Sequence, residues 1–214
     1  MAATARLAAL DALVDWLSTT RIGDTFNQYA LGGDADRDPR TAPGLRAANL
    51  RAYLRERASA PVLLVAEAAG WRGARYSGLA LFSERMIDET ATPYRRTSTQ
   101  PGGFAEASAT VVQGVLTQGG WTDAVLIWNV VMTHPRGAQP HSNRPPRRGE
   151  VKAGRRLLDE LLSIVAPHHV LAVGRTAQAA LPAGLDAPAI RHPAQSGATL
   201  CRRQLTGALE QRLG

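Results

Sequence analysis

Apolar residues fall into two patterns along this chain. The first is helical spacing. Leu7, Leu10, Leu13, Val14 and Leu17 predict an amphipathic helix over residues 5–18. Pro43 opens a second predicted helix, 44–57, whose Arg46, Arg51, Arg55 and Arg57 read as a solvated face. Further helices are predicted over 79–87, 104–118, 149–165, from Gly174 to about Leu181, and over 199–213. The second pattern is the short continuous run. Val62–Val65, Ala124–Trp128, His169–Val173 and Ala187–Ile190 are too short for buried helices and apolar throughout. Such strands belong to a parallel sheet covered on both faces. Strand and helix alternate, so the fold class is α/β, a three-layer αβα sandwich around a four-stranded parallel sheet.

Polar, Gly- and Pro-containing stretches punctuate this order. Residues 21–43 read as a loop and 91–102 as a surface excursion. Residues 131–148 hold four prolines and cannot form regular structure. At 214 residues one domain is expected, with a helical part at 1–58 and an α/β core at 59–214.

Charge narrows the class of partner. The net charge is +7 and the pI about 10.6, carried almost wholly by arginine, since Lys152 is the only lysine. That balance favours an anionic partner, with nucleic acid the usual one, although an arginine- and alanine-rich coding bias produces the same excess. Cys201 is the only cysteine, which excludes an intramolecular disulfide and any all-cysteine metal or iron–sulfur site. It fits a reducing cytoplasm. No apolar run is long enough to span a bilayer, so no membrane partner is expected.

Three strand ends carry polar residues: Glu67, Asn129 and His192. Strand C-termini of a doubly wound sheet gather at one edge, where ligands bind. A carboxylate orients or deprotonates water. An Asn amide offers a donor and an acceptor to a nucleobase edge. A histidine donates to an oxygen that becomes negative as a bond breaks. Each also has a plainer reading: Glu67 as a helix cap or partner of Arg72 or Arg75, Asn129 as a turn former, His192 as a satisfied loop histidine.

The residues around these three resemble the uracil-DNA glycosylase superfamily over roughly 24–212. Ala66-Glu67-Ala68-Ala69-Gly70 is similar to its first motif, and Trp71-Arg72-Gly73 and Gly78–Glu84 to the loop that follows. Trp128-Asn129-Val130, Asn143-Arg144-Pro145-Pro146, Val170–Arg175 and Arg191-His192-Pro193-Ala194 are similar to the later segments, in order. The resemblance implies a uracil-DNA glycosylase-like fold and a DNA glycosylase that flips a base from duplex or single-stranded DNA and hydrolyses its N-glycosidic bond. It implies catalysis by Glu67, which positions water, and His192, which stabilises the departing base. It implies a base pocket of Ala68, Trp71, Asn129 and Phe82, or Leu81 if the register slips by one. Arg144, Arg147, Arg148, Gln195, Ser196 and Arg202 would contact DNA. No cofactor or metal is implied, and a monomer is expected.

The departures bear on the base. Ala69 stands where the family has Pro, Ala66 where it has Gly, Ala194 where it has Ser. A reshaped pocket suits uracil or another deaminated base, or a bulky modified pyrimidine such as glucosylated hydroxymethylcytosine, with phage defence as the setting. A DNA-binding relative without catalysis is the alternative. A dinucleotide-binding module lacks the G-x-G-x-x-G spacing, a metal hydrolase lacks a ligand set around His134, His141, His168 and His169, and a serine hydrolase lacks G-x-S-x-G.

Overall fold

The computed structural model describes residues 1–139 and 141–214; Pro140, one of the four prolines of the 131–148 loop, lies outside them. The chain runs α1 (Ala3–Thr19), α2 (Ala42–Glu56), β1 (Val62–Ala68), α3 (Ala74–Ser77), a 3-10 turn (Glu84–Met86), α4 (Ala107–Gln118), β2 (Val125–Val131), α5 (Arg148–Val165), β3 (His169–Val173), α6 (Arg175–Ala180), β4 (Ala189–Ile190) and α7 (Ala198–Leu213). The four strands pair in the order β2-β1-β3-β4, all parallel. Because β1 is flanked on both sides, its residues Val62–Ala66 are buried.

Alternating side chains divide the core by sheet face. Leu63, Val65, Leu126 and Trp128 meet α1, α2, α5 and α6. Val62, Leu64, Val125 and Ile127 meet α4 and α7. Helices therefore cover both faces, as apolar parallel strands require. No described helix is long and apolar enough to cross a membrane.

Three expectations from the sequence need correction. Residues 79–87 are not a helix. α3 ends at Gly78 (φ 76°), and the Ser77 hydroxyl then bonds the Leu79 N–H and the Phe82 carbonyl (3.0 and 2.7 Å), which turns the chain. Leu81 sits at φ 45°, with its carbonyl held by Gln113 Nε2 at 3.0 Å. Second, β2 runs on past Asn129 to Val131, so Asn129 lies inside a strand rather than at its end. Third, α4 starts at Ala107, and Phe104–Glu106 precede it as extended chain.

Two stretches read as solvated are partly core. On α2, Arg51 and Arg55 pair with Asp15 and Asp11 (2.5 Å each), but the Arg46 side chain is fully buried and ion-paired to Asp36. In the 91–102 stretch Thr97 and Ser98 are buried, because their N–H groups satisfy the buried Glu84 carboxylate (2.6 and 3.0 Å). A buried carboxylate is tolerated when backbone donors surround it.

Candidate active site

The carboxyl edge of the sheet opens into a cavity of about 370 Å³. The end of β1 supplies Ala66, Glu67, Ala68, Ala69 and Gly70. Leu81 comes from the turn after α3, Glu106 and Ser108 from the start of α4, Pro135, Asn143, Arg144 and Pro145 from the loop after β2, and His192, Ala194 and Gln195 from the loop after β4. Of the residues singled out from sequence, Glu67, Ala68, Leu81, Arg144, His192 and Gln195 thus share one wall-to-wall space.

Glu67 and His192 act on each other electrostatically. Burial holds the His192 imidazole below its ordinary value, while the Glu67 charge pulls it up and Arg191 pushes it down. The Ala194 N–H donates to His192 Nδ1 at 3.1 Å. An acceptor at Nδ1 places the proton of the neutral ring on Nε2. His192 is therefore a neutral Nε2–H donor near neutral pH. The loop that carries it is pinned by the Arg191 N–H to Gln204 Oε1 bond of 2.7 Å. Beyond it, Gln195 and Ser196 are exposed with φ of 52° and 61°, a conformation that non-glycine residues adopt rarely.

Other sequence-selected residues lie off this cavity. Phe82 packs edge-on against Tyr94, centroids 5.9 Å apart, so Leu81 rather than Phe82 forms the wall. The Trp71 indole stacks on His141 at 5.3 Å, with its N–H backbone bound to Asn143 Oδ1 at 2.9 Å. Asn129 pairs with Ala66 across the β1–β2 ladder and is buried; its Oδ1 has no hydrogen-bond partner among the described residues. Arg147 pairs with Asp24 at 3.2 Å, and Arg148 and Arg202 are exposed on α5 and α7. Arg144 is held by Glu150 through two bonds (2.7 and 2.6 Å) and by the Asp24 carbonyl at 3.0 Å. Among the described residues no group of three or more His, Cys, Asp or Glu is placed to hold a metal ion.

Glu106 was not among the sequence candidates. Its only mark there is a lone carboxylate at the start of a helix, which reads as an ordinary first-turn acid. In the structure its carboxyl lies against Gly70 and Gly73: a Cβ on Gly70 would come within 2.6 Å of Glu106 Oε1, and one on Gly73 would overlap the carboxylate. Burial pushes the Glu106 carboxyl up to about 7. Near neutrality it is a carboxylic acid half the time, able to donate as well as accept. A raised value in the folded state means that folding favours the proton. Stability is then fully present at low pH and falls as pH rises from about 4.5 through about 7. Glu106→Gln should therefore stabilise the protein at pH 8, by up to about 2 kcal/mol given partial exposure, and change nothing at pH 4. Urea melts at both pH values check this; equal effects at both would assign Glu106 an ordinary solvated carboxyl.

Comparison with known proteins follows the same line. The sequence profile described as the uracil DNA glycosylase superfamily matches residues 57–209. No curated protein sequence matches significantly. Among solved structures, the wild-type SMUG2 of Pedobacter heparinus superposes with a TM-score of 0.64 at 9% identity, over 95% of this chain and 97% of that one. At that identity the likeness speaks for the fold, and it spans the N-terminal helices as well as the sheet. With the profile covering most of its length, the chain belongs to the uracil DNA glycosylase superfamily.

Proposed function

We propose that residues 1–214 act as one domain that excises a base from DNA, hydrolysing the N-glycosidic bond and leaving an abasic site. The observation that carries this reading is that Glu67 and His192 line one cavity at the carboxyl edge of the sheet. A flipped nucleotide enters that cavity. Glu67 orients a water toward C1′ and takes its proton as the C–N bond breaks. The bonding pair leaves with the base, and His192 Nε2–H donates to the oxygen where the negative charge collects. Being neutral, His192 donates without surrendering a full proton. Leu81 packs on the base. Gln195 and Ser196, exposed beside His192, press into the space the base vacates. Arg148 and Arg202 meet phosphates on this reading. No cofactor takes part, and the protein works as a monomer.

The base is uracil or another deaminated base. A second reading, a bulky modified pyrimidine in defence against phage, draws on the small side chains Ala66, Ala68, Ala69 and Ala194 that line the cavity. Abasic-site formation on oligonucleotides carrying uracil, hypoxanthine, xanthine, hydroxymethyluracil or glucosylated hydroxymethylcytosine separates the two. Release of uracil or hypoxanthine supports the first. Release of the glucosylated base alone supports the second, and exclusive activity on uracil removes it. Intact DNA binding with no release from any substrate leaves a non-catalytic DNA-binding relative.

A further inference from the structure

A second cavity, about 280 Å³, lies beside the Ala69–Trp71 segment and has no part in the chemistry above. Its walls include Phe26, Arg75, His134 and Arg136. Two of these residues are buried with a polar atom left over. His134 is 1% exposed; its Nδ1 bonds the Ala69 carbonyl at 2.9 Å, so Nδ1 carries the hydrogen and Nε2 is a bare acceptor. That Nε2 has no partner among the described residues. Arg75 is 7% exposed, and its Nη1 likewise has no hydrogen-bond partner among them. The nearest carboxylate, Asp36 Oδ1, is 3.9 Å from Nη1 and already committed to Arg46.

The chain is shaped around this guanidinium. A side chain at Gly33 would overlap Arg75 Nη2, and the Phe26 ring centroid lies 3.9 Å from the Arg75 guanidinium. Arg136, exposed at the mouth, lies over the same ring at 5.4 Å. Two cations thus share the cavity, with Asp34 as its one carboxylate, at the exposed rim. A buried, under-neutralised guanidinium is costly unless an anion completes it. The leftover groups specify that anion further: acceptor oxygens for Arg75 and Arg136, and an O–H or N–H close by for His134.

We propose that this cavity binds a nucleotide, its phosphate held by Arg75 and Arg136 and a sugar or base donor by His134 Nε2. The phosphate comes from a DNA strand or from a free nucleotide; the chemistry is shared. The site stands whether or not the Glu67–His192 cavity is catalytic. Calorimetric titration with inorganic phosphate, a 2′-deoxynucleoside 5′-monophosphate and the same nucleoside without phosphate tests it. The monophosphate should bind more tightly than either by about tenfold or more. Arg75→Gln and Arg136→Ala should each weaken it about tenfold, and His192→Ala should leave it unchanged. Arg136 is exposed, so its variant decides even if Arg75→Gln fails to fold. Displacement of the mononucleotide by a short single-stranded oligonucleotide identifies the DNA strand as the source; failure to displace it identifies the free nucleotide. Nucleoside or inorganic phosphate binding as well as the monophosphate, Arg136→Ala binding like wild type, or no binding of the monophosphate overturns the proposal.

Discussion

Glu67→Gln and His192→Ala are each expected to lower single-turnover base release by about a hundredfold or more while leaving DNA affinity within about twofold. The two losses have different origins. Gln keeps the size of Glu67 and can still hold a water, but it cannot take the proton as the nucleophile attacks. Ala at 192 removes the Nε2–H that stabilises the leaving base, an interaction that strengthens only as the bond breaks. Because both residues serve one transition state, the double variant should lose less than the product of the single losses. Burial holds the His192 imidazole below its ordinary value, so it is neutral at and above pH 7 and its contribution should be flat from there to pH 8. Glu106 lines the same cavity with its carboxyl pushed up to about 7, so any break in the rate near pH 7 should vanish in Glu106→Gln. Abasic-site formation under enzyme excess is the readout. Full activity in either single variant removes the mechanism, and loss of binding in step with activity reduces the effect to misfolding.

The layout of the sheet was legible in the sequence because its strands are buried on both faces. Val62–Val65 and His169–Val173 show no alternation, and that alone distinguishes a parallel sheet from a half-exposed one. The failures have physical reasons. Leu79–Ile87 has helix-forming composition, yet Gly78 and the Ser77 hydroxyl turn the chain before a helix can propagate. The extension of β2 beyond Asn129 was hidden because a polar residue usually marks a strand end. Here Val130 and Val131 continue the ladder, with Val131 paired to Ala68.

Within the site, residues carried by a motif were legible and residues carried by packing were not. Glu67 and His192 stand at strand ends beside recognisable neighbours. Glu106 has no motif, and its place in the cavity wall depends on Gly70 and Gly73 leaving room for its carboxyl, which is a property of the fold. Arg75 is similar: nothing in Gly73-Ala74-Arg75-Tyr76 says that the guanidinium is buried against Phe26, forty-nine positions earlier. Charge composition also misled locally. Arg46, read as part of a solvated face, is buried, and Arg144, read as a DNA contact, is clamped.

Arg144→Ala is expected to cost about 3 kcal/mol of stability, whereas Arg148→Ala, at an exposed side chain on the first residue of α5, should cost less than about 0.5 kcal/mol. Arg144 meets Glu150 fork to fork, and the Glu150 side chain is 2% exposed. The same carboxylate receives the Arg147 N–H at 2.7 Å and the Asp24 N–H at 3.2 Å, which ties the start of α5 to the loop before α2. Removing the guanidinium leaves a buried carboxylate short of its strongest partner. The bond to Arg144, first, and those backbone N–H groups hold the Glu150 carboxyl down at about 2, against the opposing effect of burial. Its folded value lies below the ordinary 4.5, so this stabilisation is present above about pH 4.5 and is lost as pH falls toward 2. Urea melts of wild type should therefore weaken between pH 5 and pH 3, and those of Arg144→Ala should weaken much less. For DNA affinity the order reverses: Arg148→Ala should weaken binding and shallow its salt dependence by about one counterion, as a phosphate contact does. If Arg144→Ala instead keeps wild-type stability at both pH values and loses only DNA affinity, Arg144 is a phosphate contact and the clamp contributes nothing to the fold.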